Sequence, residues 1–375
     1  MEDMELILFG SVYSGKKVLV TGHTGFKGSW LTTWLLQLGA KVCGISKDIP
    51  TTPSMFEELK LVDKVEHNFI DIRDFDSLQA KIQSFKPDFL FHLAAQSIVS
   101  RSYSEPLETV STNIMGTANV LEALRGVSND CHAVIITSDK CYENVEWVWG
   151  YKETDPMGGR DIYSGSKGAA EIIFHAYQQS FFNDSGSRVR LATGRAGNVI
   201  GGGDWAADRI ITDCMSAWSK GVPVEVRSPQ ATRPWQHVLE PLSGYLTLGQ
   251  NLVDKQELHG EQFNFGPKAE QNHTVKELLE ELSRYWDFKS PSASYRVTDN
   301  ISFHEASLLK LNCDKALFKL KWEANLSYVD CIKYVSEWYY SFYKKNENMF
   351  EITVKQIEAY QQHAIENQRS WAKYD

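Results

Sequence analysis

Apolar positions along the first half of the chain follow two alternating rhythms. Compact apolar runs at 16–22 (KKVLVTG), 41–46 (KVCGIS), 65–74 (VEHNFIDIRD), 87–96 (PDFLFHLAAQ), 132–140 (HAVIITSDK) and 188–201 (RVRLATGRAGNVIG) predict strands. Between them, 29–39, 75–85, 106–125 and 163–182 carry apolar residues at helical spacing, the first ending at Gly39, a residue suited to close a helix. Strands alternating with helices predict an α/β fold, a doubly wound parallel sheet with right-handed crossovers. After Gly201 the alternation breaks down. Glycine, proline and tryptophan crowd GGGDWAADRIITD and RSPQATRPWQHVLEPLSGY, and helical spacing returns at 274–286 and 328–345. The expected division is a sheet domain over 1–197, a smaller C-terminal lobe over 198–345, and a helical tail over 346–375 with Val354, Ile357, Tyr360 and Ile365 near one side.

The composition fits a soluble globular protein: 375 residues, 42% hydrophobic and 23% charged, enough for two domains or one with an appendage. A net charge of −9 without any dense basic run argues against a nucleic-acid partner, while leaving room for a local basic cleft. The six cysteines are scattered without a CxxC pair, so reduced thiols in a cytoplasmic protein are expected, and no metal site. The first residues are acidic where a secretory leader is basic, and no 18-residue apolar run occurs, so neither leader nor membrane span is expected.

Candidate chemistry starts at TGHTGFKG (21–28). Gly22, Gly25 and Gly28, with Thr24, Phe26 and Lys27 among them, form a G-x-x-G-x-x-G loop between the first strand and helix. Bare backbone there lets a pyrophosphate approach the helix N-terminus. A glycine triplet alone is weak, but on the first strand–helix junction of a Rossmann-type pattern it predicts a dinucleotide. The second strand ends in Ser46-Lys47-Asp48, with Ser46 at the end-of-strand position. Asp48 could hold a ribose 2′-hydroxyl, and Lys47 could instead accept a 2′-phosphate; the lack of an arginine there favours NAD. Asp71 and Ile72 are placed to meet adenine, and Leu93, Ala94 and Ala95 let a nucleotide pass close to the backbone.

Ser138, Asp139 and Lys140 follow an apolar strand, which reads either as a turn or as a catalytic edge, since open α/β sheets bind ligands at the carboxyl ends of their strands. YSGSK sets Tyr163 and Lys167 four residues apart on one helix face. A cationic lysine there is expected to lower the phenol pKa, making Tyr163 a base for an alcohol proton. Cys141 reads as a packed thiol.

Together with the glycine loop and Ser138, the YxxxK pair resembles the extended short-chain dehydrogenase/reductase family. TSDKCYENVEWVWGY, PMGG, AGNVIGGGDWA and RPWQHVLEPLSGY narrow the resemblance to its CDP-glucose 4,6-dehydratases, from about Lys16 to Trp322. The resemblance implies catalytic roles for Ser138, Asp139, Lys140, Tyr163 and Lys167, and adds Thr112 to the cofactor contacts. It implies that Gln96, Ser138, Asn198, Arg209, Arg233, Gln236 and His304 contact a nucleotide sugar, with Trp205 and Trp235 nearby and Arg227 matching less specifically. The implied reaction oxidises C4 of the sugar, eliminates water across C5 and C6, and returns hydride to C6. Asp139 would protonate the departing 6-hydroxyl, and Lys140, where the dTDP-glucose enzymes carry glutamate, would be the C5 base or an ammonium stabilising the enolate. The implied setting is cytoplasmic deoxysugar supply for lipopolysaccharide O-antigen.

SIVSRSYSEP (97–106) and SPQATRPWQH (228–237) depart from the family pattern, which leaves the sugar open. The rivals are a dehydratase for another nucleotide sugar, a C4 epimerase or simple oxidoreductase of the same family, and a catalytically idle NAD-binding sensor or scaffold. Helices 106–125 and 163–182 carry apolar residues beyond one buried face, among them Ile172, Ile173 and Phe174. Such helices pair between subunits in this family, so a homodimer or homotetramer is expected.

Overall fold

The computed structural model describes residues 6–184, 186–298 and 309–374. Seven parallel strands form the central sheet: β1 (Lys17–Thr21), β2 (Lys41–Ser46), β3 (Glu66–Phe69), β4 (Phe89–His92), β5 (Cys131–Ile136), β6 (Val189–Arg195) and β7 (Gln262–Asn264). Their spatial order is β7-β6-β5-β4-β1-β2-β3, all pairs parallel. The order reverses between β1 and β4, which opens a crevice at their carboxyl ends, the place where such sheets bind ligands.

Alternation along the strands separates two cores. Val18, Val20, Phe91 and Val134 point to one face, against Trp30 and Trp34 of α1 (Phe26–Gln37) and Leu242 and Leu246 of a later helix. Leu19, Leu90, Ala133 and Ile135 point to the other. They meet Leu78 and Ile82 of α2 (Phe75–Phe85), Val120, Leu121 and Leu124 of α4 (Gly116–Arg125), and Phe174 of α5 (Ile162–Tyr177). The predicted helix 106–125 is α3 (Pro106–Val110) joined to α4 by a π turn at Ser111–Met115, and the helix predicted over 163–182 ends in a second π turn at Gln178–Phe182.

The sheet reaches past residue 197. β7 pairs with β6, and α6 (Leu239–Asp254) packs on β5 and β6, so C-terminal residues complete both the sheet and its cover. The run predicted at 65–74 pairs only over Glu66–Phe69, because Asp71 turns back to accept a hydrogen bond from the Arg73 amide at 2.9 Å. The tail helix α7 (Met349–Glu366) packs against α1 through Ile357 and Tyr360. Beyond it Ala372–Tyr374 pairs antiparallel with Leu6–Leu8, and Phe9 stacks on Trp371 at 4.8 Å. Among the described residues, no helix is long and apolar enough to cross a membrane.

Candidate active site at the carboxyl end of the sheet

The glycine loop leaves β1 at Thr21 and is pressed against the end of β4. Gly22 has φ +77°, and a Cβ on it would lie 2.7 Å from the Ala94 amide; one on Gly28 would lie 2.0 Å from the Gly22 carbonyl oxygen. Gly25 caps α1 with no side chain over the first helical turn. The cradle therefore fits a pyrophosphate laid on bare backbone at a helix N-terminus. A second mark of fit is Thr112, whose buried Oγ1 has no partner within the protein. Leu93 and Ala94 are tied to Thr21, through its carbonyl at 3.1 Å and its hydroxyl at 3.2 Å, which holds Leu93-Ala94-Ala95 beside the loop.

The adenosine end differs from the simplest expectation. The Ser46 hydroxyl binds the loop itself, accepting from the Thr24 amide at 3.3 Å and meeting His23 Nδ1 at 3.0 Å. Thr24 donates its hydroxyl to the Asp48 carbonyl at 2.7 Å, while the Asp48 carboxylate lies out in solvent. Asp71 holds Arg73 through both carboxylate oxygens, and Ile72 is packed against α4 at Gly116.

Ser138 ends the approach from β5 and caps a turn, Asp139–Cys141, accepting from the Lys140 amide at 3.2 Å. Its hydroxyl donates to Asp139 Oδ1 at 2.9 Å, and Asn198 Nδ2 reaches Oδ2 at 3.5 Å. Gly197 is required where it stands, because a Cβ there would come within 1.9 Å of the Asp139 carboxylate. Asn198 holds φ +53°, an uncommon conformation for a residue with a side chain. Ser138, Asp139, Tyr163 and Lys167 are all buried. Asp161 caps α5 by accepting from the Ser164 amide, which fixes the start of the helix that carries Tyr163 and Lys167.

The electrostatics correct one expectation. Burial pushes the Tyr163 phenol up to about 12, not down; Asp139 adds to the rise, while the Ser138 hydroxyl and Arg209 oppose it. Lys167 Nζ lies 5.9 Å from the centre of the Tyr163 ring. Burial lowers that ammonium to about 8, and Cys141 and Glu171 pull the other way. Lys27, expected only at the pyrophosphate, sits among the same charges: burial and then Arg209 lower it to about 8, with Asp139 opposing. The Cys141 thiol is buried and held well above its ordinary range by burial, consistent with a packed role.

The expected sugar-nucleotide contacts divide. Arg209 pairs with Asp204 and comes within 3.5 Å of the Ser97 hydroxyl, and its charge is felt at Tyr163, so it belongs to the site. Gln96 does not offer a free carboxamide: its Nε2 donates to Thr109 at 2.8 Å, and its Oε1 accepts from the Ile98 amide at 2.6 Å. Gln236 Nε2 is likewise committed to the carbonyls of Gly197 and Phe265, leaving its buried Oε1 without a partner. Arg233 lies in a short strand, Thr232–Arg233, paired with His273–Thr274. Trp205 packs into an aromatic cluster with Trp338, Tyr339 and Phe342 and donates to the Tyr343 hydroxyl, while Trp235 is buried. Arg227 is exposed. His304 lies outside the described residues.

One group was missed by sequence reasoning. Glu171, one turn beyond Lys167, makes a two-pronged ion pair with Arg195, both bonds at 2.9 Å. It also accepts from the hydroxyls of Thr137 and Thr193, while Arg195 donates to the Tyr142 hydroxyl at 2.7 Å. Both side chains are nearly inaccessible. This frame locks α5 to the ends of β5 and β6, beneath Ser138 and Gly197. A charged residue inside each of two apolar segments, Arg195 in RLATGRAG and Glu171 in GAAEIIF, was the available signal.

A family model described as GDP-mannose 4,6 dehydratase matches residues 19–335. A CDP-glucose 4,6-dehydratase from Salmonella typhimurium is 45% identical over 351 residues, which cover 93% of this chain and 97% of that one. A dTDP-glucose 4,6-dehydratase from Haemophilus influenzae is 24% identical, over 86% of this chain and 97% of that one. Among solved structures, an epimerase from Methanothermobacter thermautotrophicus aligns with a TM-score of 0.74 at 22% identity, covering 90% of this chain and 95% of that chain. A dTDP-glucose 4,6-dehydratase from Streptomyces venezuelae, solved with NAD bound, gives 0.72 at 20% identity over 86% and 96% of the two chains. The structural likenesses carry the Rossmann-type fold; the family match and the 45% identity carry the kinship. With its glycine cradle, its YxxxK helix and a Ser-Asp-Lys strand end, the chain belongs to the GDP-mannose 4,6-dehydratase family of extended short-chain dehydrogenase/reductases.

Proposed function

We propose that the protein is an NAD-dependent hydro-lyase that converts CDP-glucose to CDP-4-keto-6-deoxyglucose. The observation that carries this reading is the Asp139 carboxylate, buried between Ser138, Gly197 and Asn198 and close enough to the buried Tyr163 for its charge to raise the phenol. An epimerase or a simple oxidoreductase needs only the tyrosine and lysine for proton transfer at C4; a carboxyl beside Tyr163, with Lys140 next to it in sequence, supplies the proton transfers of an elimination.

NAD held by the glycine loop and Thr112 would supply the reversible hydride acceptor that C4 oxidation and C6 reduction need. Tyr163 Oη removes the 4-hydroxyl proton, with Ser138 donating to the same sugar oxygen and Lys167 as the nearby cation. The ketone formed at C4 acidifies C5. Lys140 takes the C5 proton and gives it back to C5 as hydride reaches C6. In its alternative role, as an ammonium, it stabilises the enolate oxygen while a water carries that proton. Asp139 gives a proton to the 6-hydroxyl, which leaves as water. Arg209, Arg233, Asn198 and His304 receive the nucleotide sugar, and the glycine loop with Thr112 receives the cofactor pyrophosphate and ribose. The role this fits is cytoplasmic deoxysugar supply for a lipopolysaccharide O-antigen.

Mass spectrometry after incubation with NAD and a panel of nucleotide-activated glucoses tests the reading. Loss of one water from CDP-glucose is expected, with a product whose alkaline solution absorbs in the near ultraviolet. Unchanged mass with inversion at C4 would make it an epimerase, and no change with any substrate would make it a binder. Lys140→Met should lose about a hundredfold or more in turnover and still bind both ligands. Enzyme-bound NADH should then appear without dehydrated product; near-normal turnover would reduce Lys140 to a turn residue.

We further propose a homodimer or homotetramer assembled through α3, α4 and α5. Phe174 is in the core and Ile173 is half-buried against it, but Ile172 (60% exposed) and Leu107 (81%) on these helices, with Met115 and Phe181 in their π turns, leave apolar area uncovered. Light scattering at micromolar concentration should give a multiple of the 42.6 kDa chain mass, and a monomer would defeat the proposal.

A further inference from the structure

We infer that Glu108 sets the choice of dinucleotide, holding the site to NAD by occupying the two cations that would otherwise bind the 2′-phosphate of NADP. The inference rests on the NAD-dependent reading above. Lys47 follows Ser46, which is bonded to the glycine loop, so Lys47 stands at the strand end where the adenosine ribose of a Rossmann-bound dinucleotide lies. Its ammonium is not free: Nζ lies 2.8 Å from Glu108 Oε1. The second cation at that rim, Arg73, gives Nη1 to Glu108 Oε2 at 2.7 Å and Nη2 to Asp71 at 2.6 Å. Arg101 approaches Glu108 Oε1, the oxygen paired with Lys47, at 4.0 Å. Glu108, carried in by α3 from across the crevice, thus joins the ends of β2 and β3 through a single carboxylate.

The consequence follows from charge. A ribose 2′-hydroxyl is neutral and needs one acceptor, which Asp48, 3.9 Å from Lys47, can provide. A 2′-phosphate is a multiply charged anion that needs cations. Here it would meet Asp48, Asp71 and Glu108 around Lys47 and Arg73, and to capture either cation it would have to displace Glu108. The hydrogen bonds from Lys47 and Arg73 hold the Glu108 carboxyl below its ordinary range, so it stays ionised at neutral pH. The site therefore contains the parts of an NADP pocket, neutralised by one residue from another element.

Equilibrium binding of NADH and NADPH to the purified chain, followed by energy transfer from its 11 tryptophans to the reduced nicotinamide, tests this without any sugar. Wild type should bind NADH more tightly. Glu108→Gln, which keeps the shape of a quarter-exposed side chain, should tighten NADPH about tenfold and move NADH far less. Glu108→Ala should act in the same direction. Added salt should shrink the gain, and Lys47→Met in the Glu108→Gln background should cancel most of it. If Glu108→Gln shifts both nucleotides equally or neither, the inference is overturned. If wild type binds neither nucleotide, the NAD-dependent reading itself fails, and the inference with it.

Discussion

Tyr163→Phe should abolish the appearance of NADH when CDP-glucose is mixed with the NAD-loaded protein, lowering that step by about a hundredfold to ten-thousandfold. The ring keeps its packing in a buried site, so stability and nucleotide binding should change little. The pH dependence tests the same chemistry. With the phenol pushed up to about 12 by burial and the Lys167 ammonium down to about 8, phenolate grows with pH while the cation beside it is lost. C4 oxidation should climb through neutral pH and level off near 8, where gain and loss balance. Lys167→Met should be slower and lack that break. A profile with no rise below it would show that Tyr163 is not the titrating base.

The second large effect is on stability. Arg195→Met leaves the Glu171 carboxylate buried without its partner, a loss of about 3–5 kcal/mol that urea unfolding at neutral pH would measure. Burial alone would raise the Glu171 carboxyl, but Arg195 and the hydroxyls of Thr137 and Thr193 hold it below its ordinary value. A depressed folded-state pKa contributes stability above the ordinary carboxylate range, lost as pH falls through the folded value. In Arg195→Met the sign reverses, since a lone buried carboxyl has a raised pKa, so the penalty should shrink on mild acidification. An equal cost at both pH values would show that Arg195 acts by packing alone. Turnover should also fall, because the pair ties Lys167 to the strand ends that carry Ser138 and Gly197.

The parallel sheet was legible because its strands are apolar runs with glycine or a polar cluster at each carboxyl end, and KKVLVTG and KVCGIS pair nearly as written. What periodicity could not show was β7, three residues of Gln262–Asn264 whose strand character comes from the free edge of β6 and not from their own pattern. Site residues held by local geometry were readable too: the glycine loop, the YxxxK face and the Ser138 cap each depend on neighbours within a few positions. The resemblance implied substrate contacts at Gln96 and Gln236, yet the Gln96 carboxamide is taken up by Thr109 and Ile98, and the Gln236 Nε2 by Gly197 and Phe265, partners up to 39 positions away. The Tyr163 pKa failed for a related reason. Spacing reports that a lysine is near but not how much water is gone, and here desolvation outweighs the neighbouring charges.

The ribbon that joins Leu6–Leu8 to Ala372–Tyr374 has a mechanical meaning. Leu6 faces Tyr374 and Leu8 faces Ala372, so the chain enters the ribbon at Leu6 and leaves it at Tyr374 on the same side. Tension applied at Leu6 and Tyr374 loads one cross-strand pair at a time, as a zipper opens, instead of shearing all three together. The Phe9–Trp371 stack is the next joint to take the force, and the α7–α1 contact follows it. Force applied at Leu6 and Tyr374 would therefore peel the tail from the back of α1 before it strained the sheet, and the molecule would come apart from the helix that supports its glycine loop.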